Sequence, residues 1–229
     1  MYNQGRREGS CSIGATTPAK DYYLAEGAVG YDVGFTTWVL VQNPNNSTND
    51  VKLTYQTSAG PALGPHFTMA PNSRKTINIG EGMPPNEDVS TVVTGTKPLV
   101  AERAMYWDNG TGPAFHASIG LASPHMTFMC PDGQTSSGFE TWTLVENPNP
   151  GSVTVKISYL PQGGGKAISF TDEIPAASRR SYSMADKIPS GRAAIIVESL
   201  DGARPVIVER SMYMDNRGAG TDTIGGYSD

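Results

Sequence analysis

Two Glu-Arg pairs carry residue types able to do chemistry: Glu102-Arg103 in "AERAMYWDNG" (101–110) and Glu209-Arg210 in "VERSMYMDNRG" (208–218), both inside otherwise apolar stretches. A carboxylate there could act as a general acid, but glycoside chemistry needs a second carboxylate at about 5–10 Å, and nothing in the sequence places one. Adjacent residues on a strand point to opposite faces. One member of each pair must therefore turn inward or sit at an edge, where an unpaired charge is costly. We expect structural ion pairs, with Glu26 or another charge as partner, and assign no catalytic residue.

A second candidate lies just downstream. Tyr106, Trp107, Asp108 and Asn109, with the matching Tyr213, Asp215 and Asn216, place aromatic rings beside Asp and Asn at a loop. Exposed rings next to such side chains suit stacking on a sugar plus hydroxyl hydrogen bonds. Trp38 and Trp142, by contrast, are expected in the core. The oxygens of "DNGTG" (108–112) and "DNRGAGTD" (215–222) could ligate calcium, but they match no spacing as strict as an EF-hand loop, and Asp-Asn-Gly is ordinary turn chemistry. No metal or other cofactor is assigned, calcium being the alternative. His66, His116 and His125 lack paired ligand spacing, and "QGGGK" (162–166) lacks the context of a phosphate loop and reads as a hairpin tip. Cys11 and Cys130 are expected as free thiols, with one bridge as the alternative.

The elements that must position these residues are set by an internal repeat. "FTTWVLVQNPN" (35–45) returns as "FETWTLVENPN" (139–149), "VKLTY" (51–55) as "VKISY" (155–159), and "PLVAERAMY" as "PVIVERSMY" through Pro98 and Pro205. Alternation in the first of these puts Phe35, Thr37, Val39 and Val41 on one strand face and Trp38 and Leu40 on the other, and "NPN" ends the strand. Hairpins are expected around Gly95-Thr96-Lys97 and at the Asp201-Gly202 turn. About seven short strands per copy predict an all-β fold of two tandem immunoglobulin-like β-sandwich domains, 15–120 and 121–229. Residues 1–14 align with 105–120 and with 212–225. They are expected to be the terminal strand of a preceding repeat, or a strand donated to another copy.

Composition narrows the partners. With 26 Gly, 17 Pro, 17% charged residues and a net charge of -5, the chain is turn-rich and lacks the basic excess that phosphate contacts need. Nucleic acid is not expected. No apolar stretch reaches the roughly 18–20 residues of a membrane-spanning helix, and the opening "MYNQGRREGSCSIG" has no apolar signal-peptide region, so any export signal is expected upstream.

"YYLAEGAVGYDVGFTTWVLVQNPN", "APNSRKTINI", "DVSTVVTGTKPLVAERAMYW" and the closing "SIG" together resemble an extracytoplasmic repeat found in tandem in large bacterial cell-surface and secreted proteins, often actinobacterial. The resemblance covers nearly the whole chain, twice. It implies a surface or secreted location and an immunoglobulin-like sandwich, and it implies no catalytic activity. In the second copy "MTFMCPDG" (126–133) stands where the first has "YYLAEGAV" (22–29), so no role for Glu26 is implied there. The expected function is a non-enzymatic spacer, adhesin or assembly unit whose partners are neighbouring repeats. The alternative is a carbohydrate-binding module for cell-wall or other polysaccharide, accessory to a degrading enzyme.

Overall fold

The computed structural model describes residues 9–229 and is built almost wholly of strands. The first half contains β1 (Ala19–Leu24), β2 (Ala28–Val29), β3 (Thr36–Asn43), β4 (Asn49–Thr57), β5 (Gly60–Met69), β6 (Ser73–Asn78), β7 (Glu87–Asp88), β8 (Ser90–Asp108) and β9 (Pro113–Ile119). The second half contains β10 (Thr127–Cys130), β11 (Glu140–Asn147), β12 (Val153–Pro161), β13 (Ile168–Ile174), β14 (Ser178–Ser183), β15 (Ala193–Ser199), β16 (Ile207–Met214), β17 (Ala219–Ile224) and β18 (Gly226–Ser228).

Each half packs one antiparallel layer on another. In the first, β5-β4-β8-β1 faces β6-β3-β8-β9, and β8 belongs to both layers. In the second, β13-β12-β15-β10-β18 faces β14-β11-β16-β17. Between the layers lie two apolar cores, one including Leu24, Val39, Val41, Leu53 and Val93, the other Phe128, Val145, Ile157, Val197 and Val208. These are the all-β sandwich layers that the alternation in "FTTWVLVQN" predicts, with Val39 and Val41 inside.

The recurring "NPN" builds the same turn twice. Asn43 donates through Nδ2 to the Ser47 and Ala70 carbonyls and accepts from the Asn45 N–H, while Asn45 Nδ2 reaches the Pro98 carbonyl. Asn147 and Asn149 reproduce this with Gly151, Pro175 and Pro205. A buried asparagine that satisfies several backbone groups fixes where one layer hands over to the next.

Three expectations need correction. No hairpin forms around Gly95-Thr96-Lys97 or at Asp201-Gly202. β8 runs through the first position, and β15 and β16 pair into different layers. Gly95 marks a tight bend, since a Cβ there would lie 2.6 Å from the Lys97 carbonyl oxygen. Trp38 and Trp142 are only half-buried, because both point away from the cores. Finally, Tyr22 pairs with Val93 as Phe128 pairs with Val197, so Asp132 and not Cys130 is the counterpart of Glu26, two residues from the sequence alignment.

Residues 1–8 of the expected leftover strand lie outside the described residues. Of the remainder, Ser10 and Ser12 accept at Oγ from the Ala117 and Ile119 N–H groups along β9. Cys11 is exposed and Cys130 buried, and both are free.

Strand parity determines how the halves meet. Val145 and Val208 face the second core, so Leu144, Glu146, Glu209, Ser211 and Tyr213 point outward, yet all five are buried. What covers them is the first half. Phe35, Thr37, Arg103, Met105 and Trp107 continue the inner face that begins with Val39, Val41 and Ala101, beyond the end of the opposing layer. The outer face of one sheet thus seats on the overhanging inner face of another, with β9 packed against β17.

Candidate functional site

Charged groups from both halves converge at this junction around Arg103, which is fully buried. Its Nη2 donates to Asp222 Oδ1 at 2.7 Å and to Glu209 Oε2 at 3.1 Å, and Nη1 lies 3.0 Å from His116 Nδ1. Glu209 Oε1 accepts the Ala25 N–H at 2.9 Å. Burial opposes the charge on Asp222, but Arg103 and the hydrogen bonds from Glu209 and Ser211 outweigh it and hold that carboxyl below its usual range. Glu209 moves the other way: burial and the neighbouring Asp222 push it well above. The geometry is that of a double ion pair, in which burial and Asp222 oppose ionisation of Glu209 while Arg103 favours it.

Glu26 extends the network. Ser211 Oγ lies 2.6 Å from Asp222 Oδ2 and 3.0 Å from Glu26 Oε2. One hydroxyl hydrogen serves only one of these, and the shorter contact goes to the ionised Asp222. Burial and Asp222 raise Glu26 to about 7, so below that pH it donates its own proton to Ser211. His116 is held neutral, lowered to about 3 by burial and by Arg103. A second guanidinium, Arg179, donates to the Gly27 carbonyl at 3.2 Å and sits 3.5 Å from Asp88.

An aromatic shell closes over this network. Trp107 lies 5.5 Å from Phe35, 5.4 Å from Tyr213 and 5.2 Å from His116, centroid to centroid. Asp215, Asn216 and Arg217 form a strap with φ of 53°, 54° and 64°, a left-handed path that Asp and Asn tolerate and Arg disfavours. It is held from the first half: Trp107 Nε1 donates to the Arg217 carbonyl at 2.5 Å, and Asn109 Nδ2 to that of Asn216 at 3.0 Å. Gly220 makes room for the indole, because a Cβ there would meet Trp107 and Tyr213 ring atoms at 2.9 Å. Gly220→Ala will force the ring aside at about 1–3 kcal/mol and shift tryptophan emission to longer wavelength. Unchanged emission and stability would show that the indole is not clamped.

Beside the shell lies a cavity of about 190 Å³, lined from both halves by Glu26, Tyr31, Phe35, Asp88, Trp142 and Tyr213 among others. Arg217 caps it, its guanidinium 5.6 Å from the Phe35 ring and 5.5 Å from that of Tyr213, with Glu140 paired to it at 3.0 Å. Aromatic rings and carboxylates around a space smaller than the roughly 300–1,000 Å³ of ordinary ligand pockets suit a small polar ring or an organic cation.

The structure redistributes the residues singled out from the sequence. Arg103 and Glu209 meet across the junction, whereas Glu102 is half-exposed and makes no ion pair, and neither does Arg210, among the described residues. Opposite parity explains this, since each Glu-Arg pair sends one member to each face. Trp107 is 3% exposed and is no open stacking platform; the covering strap of the second half is the reason. Tyr213 is buried beside it, while Tyr106 stays half-buried on the other face. Asp108 Oδ1 accepts from the Gly110 and Gly112 N–H groups, and Asn109 Oδ1 from Thr111. Those oxygens close an Asx-type turn. Asp215 and Asn216 are exposed and contribute backbone carbonyls to the strap contact. Sequence reasoning gave no role to His116, Arg179, Arg217, Ser211 or Asp222, although Ser211, Arg217 and Asp222 lay in stretches already singled out and His116 had been weighed as a metal ligand.

No family model and no curated protein matches the sequence. Among solved structures, the chain is similar to Thermotoga maritima 1070 at 12% identity over 46% of this chain and 96% of that one, with a TM-score of 0.43. It is also similar to the Anabaena sensory rhodopsin transducer at 20% identity over 41% and 98%, with a TM-score of 0.33. A Bacteroides uniformis β-glucuronidase aligns at 9% identity over 82% of this chain and 24% of that one, with a TM-score of 0.21. Likeness at that level carries no argument about what this chain does.

Proposed function

We propose that the chain is a non-enzymatic repeat module of a cell-surface or secreted protein, acting as a rigid spacer or assembly unit. The supporting observation is the buried network at the junction, in which Arg103 from one half is satisfied by Glu209 and Asp222 from the other. Buried charges of this kind fix one relative orientation, since any slippage strands a charge. A rod that holds its direction needs that property. The second reading, a carbohydrate-binding module, is favoured by the aromatic and acidic cavity under Arg217, with Phe35, Trp142 and Tyr213 in the role first given to Trp107.

The test is retention of the purified chain on insoluble polysaccharides and bacterial cell walls, with the supernatant assayed for sugars, alongside ¹⁵N relaxation. The spacer reading expects no retention, no released sugar and one rotational correlation time for both halves. Selective retention on one glycan would move the function to the cavity, and released sugar would overturn the non-enzymatic reading.

A further inference from the structure

Arg210 is the counterpart of Arg103, and its surroundings differ in one respect. Arg103 has its carboxylates; Arg210 is 8% exposed, and its Nε and Nη1 are buried with no hydrogen-bond partner. No ion pair compensates it among the described residues. A buried, unpaired guanidinium is costly enough that a missing carboxylate is the natural explanation. Around it, at the overhanging end of the second half's inner face, Phe139 and Met212 are half-covered and Met214 is exposed. Their counterparts Phe35, Met105 and Trp107 are buried in the junction.

The matching docking face is present too, on the first half. In the junction, Trp142, Leu144, Arg179, Ser181 and Glu209 make up the seated face. The outer face of the first half repeats it as Trp38, Leu40, Arg74, Thr76 and Glu102, at the same register positions. Here Trp38, Leu40 and Glu102 are half-exposed and Arg74 and Thr76 exposed, and Leu40, Arg74 and Glu102 lie along an open groove that also includes Gln42 and Ile119. The carboxylate that Glu209 supplies to Arg103 has its equivalent in Glu102.

We infer that the chain binds a second copy of itself head to tail, the outer face of its first half seating on the Arg210 end of the second half of the next copy, with Glu102 supplying the carboxylate. The contact reproduces the Glu209–Arg103 pairing of the junction within the chain, while Ala117 stands at the position of Asp222, so Glu102 is the one carboxylate this face offers Arg210. Its two surfaces differ, so it is heterologous and adds copies head to tail, into a ring or an open row according to the rotation between copies. Residues 10–12 lie against β9 where β17 of the incoming copy belongs, and Ile13 is 82% exposed. They are displaced on association. The inference rests on reading the chain as a rigid repeat module.

Charge exchange tests it on the full chain by sedimentation velocity. The unaltered chain forms a concentration-dependent ladder. Glu102→Arg alone brings two guanidiniums together at the contact, and Arg210→Glu alone brings two carboxylates together, each weakening association at least about 100-fold through like-charge repulsion. Mixing the two variants restores association through the one pairing that sets the substituted arginine against the substituted glutamate, alongside the unaltered Glu102 and Arg210 pairing in the opposite order. A 24.3 kDa species alone up to roughly 1 mM, or association indifferent to either reversal, would overturn the inference. With one correlation time for both halves that failure leaves the rigid-module reading standing. Two correlation times would sink the reading itself.

Discussion

Replacing Arg103 with alanine will cost about 3–5 kcal/mol of stability and free the two halves to move separately. The magnitude is that of breaking a buried charge pair by removing one partner. Arg103 is the largest of the influences that offset the burial of Asp222 and favour its charge, so without the guanidinium the carboxyl is driven to take up a proton or leave the interface. Both routes are uphill. Burying the carboxyl neutral forfeits its ionised reference in water, and leaving unseats Ser211 and, through it, Glu26. Urea denaturation at neutral pH, compared with ¹⁵N relaxation of the two halves, reads both consequences. The triple variant Arg103→Met, Glu209→Gln, Asp222→Asn removes all three ionisable side chains and will recover most of the loss, as neutral replacements of buried ion clusters do. A cost under about 1 kcal/mol for Arg103→Ala, the scale of a surface pair, would mean that water reaches the cluster.

The second large effect is a fall in stability as pH rises from 6.5 to 8. Glu146 is fully buried against the first half, both carboxyl oxygens lack a hydrogen-bond partner, and burial raises it to about 8 against the opposing pull of Arg179. An unfolded glutamate releases its proton near 4.5. Between those values the folded chain holds a proton that the unfolded chain has lost, so stability drops by about 1.4 kcal/mol per pH unit for each such group and levels off above the folded value. Glu26 acts in the same direction up to about 7. His116 opposes both, since its folded value near 3 lies below its unfolded 6.5, and its contribution is lost as pH falls below 6.5. Above 6.5 the carboxyls act alone. Glu146 will account for about 2 kcal/mol between pH 6.5 and 8, and Glu146→Gln will remove that share from the denaturation midpoints. A profile unchanged by the substitution would show that Glu146 is ionised in the folded chain.

Much of the strand layout is legible without coordinates, because period-two alternation and the "NPN" turns are local physics. Val39 and Val41 face a core for the reason visible in "FTTWVLVQN". The inward turn of one member of each Glu-Arg pair follows equally from parity and from the cost of burying charge. Legibility ends at the outer faces. Parity divides a strand into two sides but says nothing of which outward side a neighbour will cover, so Trp107 reads as exposed and Leu144 as ordinary. Glu26 and Asp222 gain their roles only because distant chain segments meet, and no spacing rule reports that. The strands flanking Gly95 suggest a hairpin because hairpins and layer crossings use the same turn residues.

β8 has a counterpart in two separate strands, β15 and β16, joined by the exposed turn at Asp201 and Gly202. In the second half each layer therefore owns its central strand, and the link between them is a short piece of solvated chain. In the first half a single 19-residue strand is central to both layers. Fraying one end of it disturbs the ladder of one layer while tugging on the register of the other, so the first half has no seam along which to come apart in stages. The half that supplies Arg103 is thus the one in which local opening is most nearly global.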